Sequence, residues 1–148
     1  MIPQANPRAS YLALQAEIDA AIHCVMARGS YLLGPETSAF ENEFAETVRA
    51  QFAVGVANGT DALCLALRAV GVQSGDYVLT VSHTAVATAT AIRMAGGVPA
   101  FVDIESSSFT MAPEALAIAI QKLGAHGKRI GAIVPVHIYG HPADMAAI

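Results

Sequence analysis

The sequence predicts an α/β fold: a mostly parallel sheet with flanking helices. Three observations carry this. Short β-rich runs (Phe52–Ala57, Tyr77–Val81, Val98–Asp103 and Ile130–Val136) alternate with helical runs. The β runs are apolar on both faces instead of alternating, the pattern of strands covered from both sides, and right-handed crossovers between them are expected. Hydrophobic residues make up 54% of the chain, much of it alanine and valine, which suits such a covered sheet.

In chain order, Ser10 is a candidate N-cap for a helix over residues 10–27. Leu14, Ile18, Ala21, Ile22, Val25 and Met26 recur in it at helical spacing, and Gly29 stops it. An irregular piece, Ser30–Gly34, leads to Pro35, a good first helical residue. The next helix carries Phe40, Phe44 and Val48 at steps of four, with Glu41, Glu43, Glu46 and Arg49 on the wet side. Both helices precede every strand, so they are expected to flank the sheet or pack on a partner. The Phe52–Ala57 run breaks at Asn58-Gly59, and a helix follows to about Gly71. Gly75-Asp76 turns the chain into the Tyr77 run. A helix over about Val86–Ala95 ends at Gly96-Gly97. Pro113 opens a third crossover helix, Ala125–Lys128 is a loop, and His137–His141 follows the last β run. A closing helix over Ala143–Ile148 has under two turns, too few to stand alone, so the sequence reads as cut short.

At 148 residues the chain is one domain by size and can bury a core. The longest charge-free run, Tyr77–Ile92, holds Thr80, Ser82, His83, Thr84, Thr88 and Thr90. A bilayer span of about 20 apolar residues would not carry so many polar groups, so no membrane segment is expected. Met1–Asn6 lacks the basic start and apolar core of a signal peptide, which makes a cytoplasmic protein the default. A net charge of −4 with scattered signs argues against a nucleic-acid surface. Cys24 and Cys64 lie in helical patterns and read as small core residues. No CxxC, HExxH or paired His/Asp cluster suggests a metal site.

Chemistry gathers at Asn58-Gly59-Thr60-Asp61. A strand, a tight turn and a helix would leave the N–H groups of Gly59, Thr60 and Asp61 free at the positive end of the helix dipole, an anion site. The Thr60 hydroxyl adds a donor, and Asp61 should offer its N–H with the carboxylate turned away. The same residues also suit plain capping by Asn58 or Thr60. A dinucleotide fold is disfavoured because GxGxxG is absent, and the phosphate-loop spacing GxxxxGK[ST] is absent too.

The string Val54-Gly-Val-Ala-Asn-Gly-Thr-Asp-Ala-Leu63 resembles the signature of the DegT/DnrJ/EryC1/StrS family. So do Gly34-Pro-Glu…Phe40-Glu…Phe44, Gly71-Val…Gly75-Asp76, His83-Thr-Ala-Val-Ala-Thr88, Phe101-Val-Asp-Ile104 and Pro135-Val-His-Ile-Tyr-Gly-His-Pro-Ala-Asp-Met145, in order and spacing. The resemblance runs along essentially the whole chain. It implies a partial type I aminotransferase large domain, with residues 1–50 as an N-terminal helical segment and 51–148 as the first half of the large domain that binds pyridoxal 5′-phosphate (PLP). The implied activity is amino transfer, with glutamate the expected donor, to a nucleotide-linked keto sugar by a homodimer. Gly59, Thr60 and Asp61 would hold the PLP phosphate.

The family commonly stacks an aromatic ring on the cofactor at the position that is Ala85 here, which cannot stack. His83, two residues earlier on the same extended face, is the expected ring-facing group, the alternative being a turn histidine bonded to backbone. His137, Tyr139 and Tyr31 are weaker substrate-side candidates; for the two that follow the last β run, a structural role is an equal alternative.

The family's lysine and the acid that faces the pyridine nitrogen have no counterpart in residues 1–148. Lys122 and Lys128 are the only lysines, one on the wet side of a helix and one entering the last strand at the wrong sheet edge. The chain is therefore expected to be inactive by itself, with a non-catalytic phosphate-binding or oligomerising remnant as the alternative. In the family topology the Phe52–Ala57 strand would also lack its neighbour, leaving bare sheet edges.

Overall fold

A computed structural model describes residues 5–148, and Met1–Gln4, part of the segment weighed above against a signal peptide, lie outside it. The chain divides into two compact units, one ending at Gly55 and one running Val56–Ile148.

The first unit is helical: α1 (Pro7–Ala13), α2 (Gln15–Arg28) and α3 (Pro35–Thr47). The single helix expected over residues 10–27 is two. The cap is Asn6, not Ser10, with its side chain accepting the Ala9 N–H at 3.2 Å. Leu14 interrupts the helix at φ −118°, ψ 17°. Gly29 ends α2 in the left-handed conformation, φ 71°, as a stop glycine should. An Arg28–Glu36 ion pair ties α2 to the start of α3. Ala45 is the buried residue of α3, whereas Phe40, Phe44 and Val48 are exposed. Cys24 is also exposed, so the expectation of two core cysteines holds for Cys64 alone.

The second unit is the α/β part. In order it holds α4 (Gly59–Ala69), β1 (Tyr77–Val81), α5 (Ala87–Met94), β2 (Val98–Val102), α6 (Pro113–Ala125), β3 (Ile130–Ile133) and a 3₁₀ turn at Ile138–Gly140. The strands form a three-stranded sheet in the order β2-β1-β3, and both pairings are parallel. Central β1 is covered from both sides, because successive side chains point to opposite faces. Leu79 and Val81 pack with Val102, Met111 and Leu116, while Val78 packs with Leu67, Val72 and Ile92 beneath α4 and α5. Fully buried Thr80 satisfies its hydroxyl by donating to the Val134 carbonyl at 2.9 Å.

The β1–β3 register slips at Gly131, so that Tyr77 faces Ile130 and Val78 faces Ala132. Buried Asp76 explains the slip. It accepts the Gln73 N–H at 2.7 Å and pairs with Arg129 at 3.0 Å, and a Cβ on Gly131 would lie 3.0 Å from its carboxylate.

Two sequence expectations fail here. Among the described residues Phe52–Ala57 forms no strand and pairs with none of the three in the sheet. Its Gly55 N–H instead donates to the Glu41 carboxylate at 2.6 Å. Ala143–Ile148 is a turn and not a full helix; Asp144 Oδ1 accepts the N–H groups of Ala146 and Ala147, each at 3.1 Å, as an N-cap would. The strand expected to reach Val136 ends at Ile133, although Val134 N–H still donates to the Leu79 carbonyl at 2.8 Å. Among the described residues no helix is long and apolar enough to cross a membrane.

Candidate functional site

The site is built on the start of α4. Asn58 is extended (φ −164°, ψ 171°), and its Oδ1 accepts the Asp61 N–H at 2.9 Å. Its Nδ2 in turn donates to Asp61 Oδ2 at 2.8 Å. The first rung of the helical ladder is Ala62 N–H to the Asn58 carbonyl, 3.1 Å. The N–H groups of Gly59 and Thr60 precede that ladder and point out of the helix end. Of the three donors expected to be free, the Asp61 N–H is therefore taken by the cap. Its carboxylate folds back onto Asn58 instead of standing among the open donors.

Access to the remaining pair is open: a Cβ built on Gly59 meets nothing within 4 Å. Beside it runs a groove of about 390 Å³, lined by Val56, Ala57, Asp61, Cys64, Leu65, Arg68 and Met94.

The polarity of the elements places this helix start. α4 leads into β1 and α5 leaves it, and the two helices lie side by side with Arg68 Nη2 donating to the Met94 carbonyl at 2.9 Å. Both therefore run against β1, and both begin at its carboxyl edge, where open α/β sheets bind ligands. His83 lies two residues beyond the end of β1, at that same edge, and is half-buried. Its ring stands 5.9 Å from the Tyr139 ring, edge to face, and 6.2 Å from the Phe109 ring. These three rings come from the loops after β1, β2 and β3.

His137 has a structural bond: its Nδ1 accepts the Ala143 N–H at 2.9 Å, which puts the proton of the neutral ring on Nε2. Tyr139 is 88% exposed. Tyr31 belongs to the first unit and is exposed there. Lys128 does not stand at the carboxyl edge beside His83. Lys128 Nζ lies 5.9 Å over the ring of Tyr77, the first residue of β1, and so at the opposite edge. Lys122 is exposed on α6 and lines a groove with Phe101, Val102 and Asp103.

Chemically, two outward N–H groups and the Thr60 hydroxyl at an open helix N-terminus suit a phosphate. A half-buried imidazole at the same edge suits the face of a flat ring. The donor set thus fits the phosphate end of PLP. Phe109 was missed from the sequence. An isolated aromatic in the polar run Ser106-Ser-Ser-Phe-Thr110 is the signal that could have found it.

The profile of the DegT/DnrJ/EryC1/StrS aminotransferase family matches residues 13–148. The chain is 44% identical over 147 residues to the dTDP-3-amino-3,4,6-trideoxy-alpha-D-glucose transaminase of Streptomyces venezuelae, covering 99% of this chain and 37% of that protein. It superimposes with a TM-score of 0.93 and 33% identity on a DegT DnrJ EryC1 StrS aminotransferase from Brucella abortus, covering 99% of this chain and 40% of that one. NtdA from Bacillus subtilis with bound cofactor PMP matches with a TM-score of 0.79 and 30% identity, over 90% of this chain and 29% of that one. The chain thus spans under half the length of the proteins it matches, and its sheet is part of a type I aminotransferase large domain. With its fold and the family match in agreement, the chain belongs to the DegT/DnrJ/EryC1/StrS aminotransferase family.

Proposed function

We propose that this chain is the N-terminal part of a PLP-dependent aminotransferase acting on nucleotide-linked keto sugars, with glutamate as the amino donor. The observation that carries the reading is the open start of α4, where Gly59 and Thr60 offer two N–H groups beside the capped Asn58–Asp61 pair. In this reading Gly59 and Thr60 hold the cofactor phosphate, Asp61 shapes the turn, and His83 faces the ring. Tyr139, His137 and Tyr31 are assigned to the substrate side. Bound PLP supplies the electron sink for amino transfer. The full enzyme works as a cytoplasmic homodimer, and residues 51–148 form the first half of its large domain.

By itself the 148-residue chain is inactive in this reading, because neither Lys122 nor Lys128 matches the position of the family's lysine. Titrating the chain with PLP and with pyridoxal, which lacks the phosphate, tests it. PLP should perturb the Gly59 and Thr60 amide signals and pyridoxal should not. Equal perturbation by both, or a borohydride-stable adduct on either lysine, would overturn it.

A second reading, a non-catalytic remnant that binds a phosphorylated ligand or oligomerises, is favoured by one observation: Leu32 and Leu33 are 87% and 88% exposed in the first unit. Light scattering separates the two. A monodisperse, cooperatively melting oligomer that takes up no PLP favours the remnant.

A further inference from the structure

We infer that Phe109 and Tyr139 are positioning residues for the His83 imidazole, kept for that purpose and not for stability. The inference rests on the reading that His83 faces the cofactor ring.

Two unusual facts coincide at these residues. Both are bulky side chains in the left-handed backbone region, Phe109 at φ 59° and Tyr139 at φ 53°. That region crowds Cβ against the backbone, and such residues persist where something else requires them. Burial does not supply the requirement, since Tyr139 is 88% exposed and Phe109 is 52% exposed. What both rings do is meet the same imidazole. Tyr139 meets it edge to face at 5.9 Å with planes 73° apart, and Phe109 is tilted at 48° and 6.2 Å.

Aromatic pairs prefer such offset and edge-on arrangements, so two rings arriving from separate loops limit how His83 can turn. Without them a half-buried histidine just past a strand end would sample several rotamers. The two strained backbones fix where the rings stand, and the rings fix the plane that His83 presents.

The test uses the 148-residue chain with its histidines isotope-labelled, comparing Tyr139→Gly, Phe109→Gly and Tyr139→Phe. Glycine relieves the left-handed strain and removes the ring, so both glycine variants should melt at the same temperature or a few degrees higher. The His83 ring signals in them should move and broaden. Tyr139→Phe keeps the ring edge and should leave the His83 signals in place. The inference is overturned if the glycine variants melt lower while His83 is unmoved, which is the mark of a structural role. It is equally overturned if Tyr139→Phe perturbs His83 as strongly as Tyr139→Gly does. Adding PLP separates this from the reading beneath it. If the glycine variants behave as expected but PLP leaves His83 unshifted in the unmodified chain, the positioning stands and the ring-facing role of His83 falls.

Discussion

Asn58 and Asp61 hold each other by two hydrogen bonds, Asp61 N–H to Asn58 Oδ1 at 2.9 Å and Asn58 Nδ2 to Asp61 Oδ2 at 2.8 Å. This closed pair sets the chemistry of the helix start. It satisfies one orphan donor, and it fixes a negative charge one residue from the donors left over. The Asp61 carboxylate stabilises the helix dipole but opposes an incoming phosphate. Asp61→Asn keeps the N–H and can keep both bonds. It should therefore lower stability by about 0.3–1 kcal/mol while tightening phosphate binding about two- to fivefold. Thermal melts and a phosphate titration read the two effects, and a weaker phosphate complex in the variant would contradict the assignment.

Gly59→Pro is the sharpest probe of the N–H donors. The position is the first of α4, where proline is favoured, and Asn58 is already in the extended conformation that proline demands of its predecessor. Nothing lies within 4 Å of an added Cβ. The melting temperature should hold or rise, while phosphate affinity falls about fivefold or more through loss of one charge-assisted bond. Unchanged affinity would assign the anion elsewhere.

Under the sheet, Gly131 and Asp76 form one structural unit. Gly131→Ala pushes a methyl to 3.0 Å from a buried carboxylate that also holds Gln73 and Arg129. Asp76→Ala leaves the Gln73 N–H without its acceptor. Each should cost about 1–3 kcal/mol, and the double variant should cost less than the sum, because the methyl then has no carboxylate to meet. Denaturant melts of the three variants would settle this, full additivity being the adverse result.

Acid should loosen the α2–α3 junction. The Glu36 carboxyl titrates below the ordinary glutamate range, first because its own backbone N–H bonds it and second because Arg28 does. A depressed carboxylate contributes stability above its unfolded value and loses it as pH falls through the folded one. Arg28→Gln should raise the Glu36 midpoint only part of the way, since the backbone bond remains. A carboxyl-detected NMR titration checks this, and full restoration to the ordinary value would give the arginine the larger share.

The strands and crossover helices of the second unit were legible because their signals are local. Tyr77–Val81 and Val98–Val102 are apolar on both faces, Pro113 opens α6, and Gly29 and the Gly96-Gly97 pair close helices where expected. The Asn58–Asp61 turn was legible for the same reason. Phe52–Ala57 was misread because β propensity states what a segment would do beside a partner, and among the described residues it pairs with no strand. The closing segment shows only the start of a helix: Asp144 caps the Ala146 and Ala147 N–H groups, and Ile148 N–H donates to the Asp144 carbonyl at 3.1 Å.

Residue order alone determined the α/β class, the Asn58–Asp61 helix start and the family, for these depend on neighbours a few positions apart. Only the tertiary structure decided which donors of that turn stay open, and that two strained aromatics from distant loops meet at His83. Those outcomes depend on which groups the chain brings together after the strands have paired, and spacing along the sequence carries no record of that.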